Sequence, residues 1–172
     1  MFQLRLMVPA AATPCRDPGA AIPSEGPLAG LDPGRSKCGL VLSDPQRRRI
    51  RVARVLPPEA AWQELQHWRR QEGLVAVVLG DGTGSQAWQA RLTPLLPACL
   101  VEERGTTLAA RERFWQLETP RGWRRLLPAG LRQPPRDWDD VVAQLLLERY
   151  LGHPLERCEA DGLPPIRTSP AQ

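Results

Sequence analysis

Acidic side chains at three places in this chain have the type and setting to do chemistry. Asp32 stands where the short apolar run Leu28-Ala29-Gly30-Leu31 gives way to Pro33-Gly34. Glu102 and Glu103 close a second apolar run, Ala98-Cys99-Leu100-Val101. Asp139 and Asp140 open an amphipathic stretch that carries Val142, Leu145, Leu146 and Tyr150 on one face. Each has an ordinary explanation by itself. An Asp before Pro-Gly forms turns, acids at a strand end are solvated, and acids at a helix start cap it and face the positive end of its dipole. Taken together they imply more. Carboxylates drawn to one place from strand ends and a helix start raise one another's pKa unless a cation offsets their repulsion. Mg²⁺ is a hard cation held by a few carboxylates together with substrate phosphates. Such a set suits metal-assisted phosphodiester hydrolysis. Alternation along a strand puts only one of Glu102 and Glu103 on the face of Asp32, and period alone does not say which.

A folded core must position these acids, and the chain has the material for one. It has 172 residues, one domain's worth, with 42% hydrophobic and 24% charged residues. Those proportions exclude wholesale disorder. Its 14 glycines and 19 prolines require long loops or tails. No run approaches the roughly 18 apolar residues of a membrane helix, so a soluble, cytoplasmic protein without a membrane partner is expected. The net charge is +4, and Lys37 is the only lysine among 23 basic residues. Arginine forks suit phosphate, although base composition of the coding DNA produces the same bias. Cys15, Cys38, Cys99 and Cys158 form no C-x-x-C pair, so neither a zinc site nor a disulfide framework is expected.

Residues 1–27 contain five prolines and many alanines and read as a tail rather than a cleaved signal peptide. Three short strands then follow with tight links: 28–32, 38–43 and 50–56, an antiparallel meander. Pro57-Pro58-Glu59 opens a helix with a stripe of Ala61, Leu65 and Trp68. Leu74 to Leu79 is a continuous apolar run, suited to a strand buried on both faces. The Gly-rich loop Gly80-Asp81-Gly82-Thr83-Gly84 follows, and Ser85 begins a helix reaching about Leu96. A fifth strand, 98–102, a helix from Thr106 or Thr107, a Pro- and Gly-rich insert at 119–138 and a helix from Asp139 to Leu151 complete the domain. Residues 153–172 read as a second tail. The order predicts an α/β fold: a mixed five-stranded sheet, meander then parallel strands, flanked by helices.

Three segments resemble the YqgF/RuvX family of Holliday-junction-resolvase-like nucleases. Leu31-Asp32-Pro33-Gly34-Arg35-Ser36-Lys37-Cys38-Gly39-Leu40 resembles its opening "G-(I/L)-D-x-G-x-x-x-x-G". Val101-Glu102-Glu103-Arg104-Gly105-Thr106-Thr107 resembles "V-D-E-R-x-T-T", the most specific of the three. Asp139 to Leu151 resembles the closing helix "D-x-x-x-A-x-x-(I/L)-L-x-x-Y-(L/F)". The resemblance covers residues 28 to 152 and implies an RNase H-like fold. It implies Asp32, Glu103 and Asp139 as catalytic, metal-binding acids, with Asp140 as a substitute for Asp139. Glu103 rather than Glu102 matches the family's glutamate. It further implies Mg²⁺ or Mn²⁺, and structured RNA or DNA as substrate, in precursor 16S ribosomal RNA processing or Holliday junction resolution. A homodimer is compatible with it. Arg35, Lys37, Arg104, Thr106 and Thr107 would then contact nucleic acid.

The loop 80–85 departs from the typical nuclease and is closer to the "G-N-G-T" loop in the YqgF-like domain of the transcription accessory protein Tex. The alternative is therefore a nucleic-acid-binding RNase H-like module without catalysis. In the insert, Arg121, Arg124 and Arg125 lie beside Trp123, and Arg132 and Arg136 near Trp138. Arginine beside aromatic rings can grip phosphates and stack on bases, or simply form a solvated loop pinned by two tryptophans. An actin-like phosphotransferase, which also sets an Asp near a Gly turn, needs a longer, two-domain chain.

Overall fold

Short apolar runs, broken by Pro-Gly and Asp-Pro turns, build the first half of the chain. A computed structural model describes residues 21–103, 106–118, 120, 122–128 and 134–157, with the side chains of 106–108, 123 and 124 left aside. Strands β1 (Leu28–Asp32), β2 (Cys38–Ser43) and β3 (Arg49–Leu56) form the antiparallel meander. Asp44 closes the second hairpin. Its carboxylate accepts the backbone N–H groups of Arg48 and Arg49 at 2.7 and 2.9 Å, as Asp does in such turns. Helix α1 (Pro58–Gln71) buries Ala61, Leu65 and Trp68. Strand β4 (Ala76–Gly80) then enters parallel to β1, and after helix α2 (Ser85–Leu92) strand β5 (Ala98–Val101) runs parallel to β4. Helices α3 (Thr106–Leu117) and α4 (Asp139–Leu151) follow, with a 3₁₀ turn at Gly122–Leu126 between them.

The sheet has six strands, not the expected five. Strand β6 (Glu156–Arg157) pairs in parallel with the start of β3, giving the order β5-β4-β1-β2-β3-β6. An α/β fold with an antiparallel and then a parallel half is as expected and is compatible with an RNase H-like fold. The extra strand belongs to what was expected to be a tail. Leu155 just before it is fully buried, and its N–H donates to the Glu148 carboxylate at 2.8 Å. At the other end the order begins before Leu28. Ile22 packs against the sheet, and Arg47 donates to the carbonyls of Pro23 and Gly26 at 2.6 and 2.9 Å. Residues 1–20 and 158–172 lie outside the described residues. Among the described residues no helix is long and apolar enough to cross a membrane.

The core is layered by alternation. Ala29, Leu31, Leu40, Leu42, Val77 and Leu79 face α1 and α2. Leu28, Val41, Val78, Cys99 and Val101 face α4. Helix α3 packs outside α4 through Ala110, Phe114 and Val141. Burying each such leucine or valine contributes roughly 1.5–3 kcal/mol, so the strands' period of two dictates which side each helix covers. Helix α4 approaches the sheet closely because the sheet offers it glycine. A Cβ on Gly30 would overlap the Ala143 carbonyl, and one on Gly39 the Asp139 carbonyl.

Candidate active site

Strands β1, β4 and β5 are parallel and end together. Leu31 is level with Leu79, and Gly80 with Val101. Asp32, Gly80 and the residues after Val101 thus leave the sheet at one carboxyl edge, where open α/β sheets bind ligands. Helix α4 identifies the faces. Leu28 of β1 and Cys99 and Val101 of β5 lie on its side. Counting by twos puts Asp32 and Glu103 on that side and Glu102 on the other. Glu102 is exposed and Glu103 half-buried.

Glycine again makes the room. The Glu103 carboxylate lies over Gly80 and Gly82, and a Cβ at either position would overlap it. Asp81 between them accepts the Glu103 backbone N–H at 2.9 Å, tying the loop after β4 to the loop after β5. Asp139 arrives from another element. Gly39 pairs with Asp32 across β1 and β2 and lets the first residue of α4 settle against the strand.

The electrostatics report the convergence. Burial, then the charge of Glu103, then that of Asp139 push the Asp32 carboxyl up to about 7. Burial also raises Glu103. The Gly82 backbone N–H, donating to it, opposes that rise, and Asp81 adds to it. Asp139 Oδ2 is buried and, among the described residues, accepts no hydrogen bond. Among the described residues Lys37 is the cation beside it: its Nζ donates to Asp137 Oδ1 and lies 3.4 Å from Asp139 Oδ2. Neighbouring acids in a partly desolvated site, one with an orphaned oxygen, are hard donors suited to Mg²⁺ or Mn²⁺. Their charge and chemistry fit such an ion. As the side chains stand, however, no three carboxylate, imidazole or thiol groups among the described residues close into a ligand cage.

Asp140 takes a different part from the one expected. It is 3% exposed, with Oδ1 accepting from Arg136 at 2.8 Å and Oδ2 paired with Arg157 at 2.9 Å. With both oxygens held by arginines, Asp140 does not stand in for Asp139. The expected phosphate-binding residues divide as follows. Lys37 is engaged by Asp137 and Asp139, while Arg35 is exposed in the loop that follows β1. Arg125 is exposed on the 3₁₀ turn. Thr106 and Thr107 open α3 and Arg124 belongs to the 3₁₀ turn, but their side chains are outside the description, as are Arg104 and Arg121 altogether.

Two participants escaped the sequence reading. Asp81 looked like one residue of a tight glycine turn, and its flanking glycines were the only sign of close packing there. Asp137, two residues before the helix, carried no signal beyond its proximity to Asp139. Compared with known proteins, the chain matches no family model and no curated protein.

Proposed function

We propose that this chain is a metal-dependent nuclease-like protein that hydrolyses phosphodiester bonds in structured nucleic acid. Precursor 16S ribosomal RNA or a four-way DNA junction is the substrate the sequence resemblance favours. The observation that carries the reading is the meeting of Asp32, Glu103 and Asp139 at one sheet edge, where burial and the other two acids together lift Asp32 to about 7. Strongly perturbed pKa values cluster at functional sites, and the carboxyl edge of an open α/β sheet is where such folds bind ligands.

Asp32, Glu103 and Asp139 would hold one or two Mg²⁺ or Mn²⁺ ions, which lower the pKa of a bound water and stabilise the charge on the leaving oxygen. In the hydrolysis a water oxygen bonds phosphorus, the bridging P–O bond breaks, and the departing oxygen gains a proton. The chain itself supplies fixed geometry. Gly80 and Gly82 keep space for the Glu103 carboxylate, and Asp81 fixes the backbone from which it projects. Gly39 fixes Asp139 relative to Asp32. Arg35, exposed in the loop that follows Asp32, would meet a phosphate.

The second reading, a binding module without catalysis, is favoured by the Lys37 ammonium on Asp139 and by the lack of a closed ligand cage among the described residues. One experiment separates the two. The protein is incubated with junction DNA and ribosomal precursor RNA in Mn²⁺ or in chelator, beside Asp32→Asn. The nuclease reading expects Mn²⁺-dependent cleavage that falls at least a hundredfold in the variant while binding persists. Binding without cleavage in the parent protein selects the second reading.

A further inference from the structure

Lys37 is the residue that the proposed metal site does not account for. Its loop, between β1 and β2, follows directly on Asp32, and its side chain reaches across to the start of α4. There Nζ donates to Asp137 Oδ1 and sits 3.4 Å from the buried Asp139 Oδ2. Among the described residues that oxygen accepts no close hydrogen bond, and Lys37 meets it as an ion pair. A second cation drawn to it must compete with the ammonium for the position, because two positive charges at one carboxylate oxygen repel. Lys37 can move away. Its side chain is 41% exposed, and Asp137, its firmer partner, is 61% exposed. An ion pair at such exposure is worth little in water, so its loss is a small obstacle to a divalent ion.

We infer that Lys37 is an exchangeable counter-ion: it occupies the cation seat on Asp139 in the metal-free protein and leaves that seat when a divalent metal binds. The inference rests on the metal reading above and extends it to the control of metal affinity. Lys37 acts here as a positioning residue. It holds the loop after β1 against the start of α4 and keeps Asp139 in place among the other acids until metal arrives. Metal binding and the Lys37–Asp139 contact are then mutually exclusive, and removal of the lysine favours metal.

Because Lys37 is the only lysine, reductive methylation with isotope-labelled formaldehyde marks it alone apart from the amino terminus, and keeps its charge. The labelled full-length protein is titrated with MgCl₂ and its methyl NMR signal followed. Mg²⁺ affinity is measured by calorimetry in the unlabelled parent, Lys37→Met, Lys37→Gln and Asp32→Asn. The expected result is a saturable shift of the Lys37 signal that is absent in labelled Asp32→Asn, and Mg²⁺ binding about fivefold tighter in both Lys37 variants, the scale of an exposed ion pair. Mg²⁺ binding that Asp32→Asn abolishes, with an unmoved Lys37 signal or with equal or weaker affinity in the Lys37 variants, overturns the exchange and leaves the metal reading standing. Absence of any Asp32-dependent Mg²⁺ binding in parent and variants alike overturns both.

Discussion

Asp139 and Asp140 are neighbours in the first turn of one helix, yet they live under opposite electrostatic regimes. Asp140 is almost wholly buried and fully matched, with Arg136 on one oxygen and Arg157 on the other. The match continues along α4. Gln144 accepts from Arg157 Nε at 2.8 Å and donates to Glu148 at 2.8 Å, and Glu148 also takes Arg113 at 3.0 Å. This stripe at i, i+4 and i+8 anchors the segment leading into β6. Asp139 faces the other way, its charge acting on Asp32, and among the described residues one of its buried oxygens accepts no hydrogen bond and meets only the partly exposed Lys37. Buried charge that is matched serves architecture. Buried charge left unmatched costs stability, and strongly perturbed groups cluster at functional sites.

Mutation should separate the two regimes by sign. The largest effect belongs to the matched side. Asp140→Asn leaves Arg136 and Arg157 partly buried beside a neutral amide and should destabilise by about 3 kcal/mol, read from urea unfolding midpoints at constant slope. A cost under about 0.5 kcal/mol, the ordinary size for surface changes, would remove the contrast.

On the unmatched side the sign reverses. The Asp32 carboxyl is raised to about 7 from an ordinary 3.8. Between those values the folded chain binds more protons than the unfolded chain, so stability falls as pH rises through the interval. Above pH 7 the penalty is complete. In chelator, Asp32→Asn should therefore stabilise the protein at pH 8, by on the order of 2 kcal/mol. The gain should shrink as pH falls through 7 and vanish below the ordinary carboxylate range. Thermal unfolding of both proteins across pH checks it, and a variant less stable than its parent at pH 8 would contradict the repulsion. A third setting calibrates both. Glu59, 66% exposed, pairs with Arg91 at 2.8 Å, and Glu59→Gln should change stability by less than about 0.5 kcal/mol at any pH. A larger loss would mean that exposed pairs matter here as much as the buried one.

The strands, the helices and the place of the acids at their ends were legible because local rules govern them. Alternating apolar runs and Pro-Gly stops mark β1 and β2, and the stripe of Ala61, Leu65 and Trp68 marks α1. Asp139 to Leu151 begins and ends where its pattern predicts. Strand β6 was not legible. Glu156 and Arg157 have no apolar period, and only their register beside Arg49 and Ile50 makes them a strand. Helix α2 stops at Leu92, short of the expected Leu96, where the chain turns before β5.

The acids show the same division. The amino-acid order alone established that carboxylates stand at the ends of apolar strands and at the head of an amphipathic helix, because strand and helix signals are local and short in range. It could not choose between Glu102 and Glu103 from alternation, nor tell Asp139 from Asp140, because each pair has the same chemistry in the same local setting. Packing made those choices. Helix α4, pressed onto Gly30 and Gly39, defines the face that Asp32 and Glu103 share, and Arg157, arriving on a strand from the far end of the chain, claims Asp140 and leaves Asp139 to the site. Contacts between residues distant in sequence carry that information, and they exist only once the layers have closed.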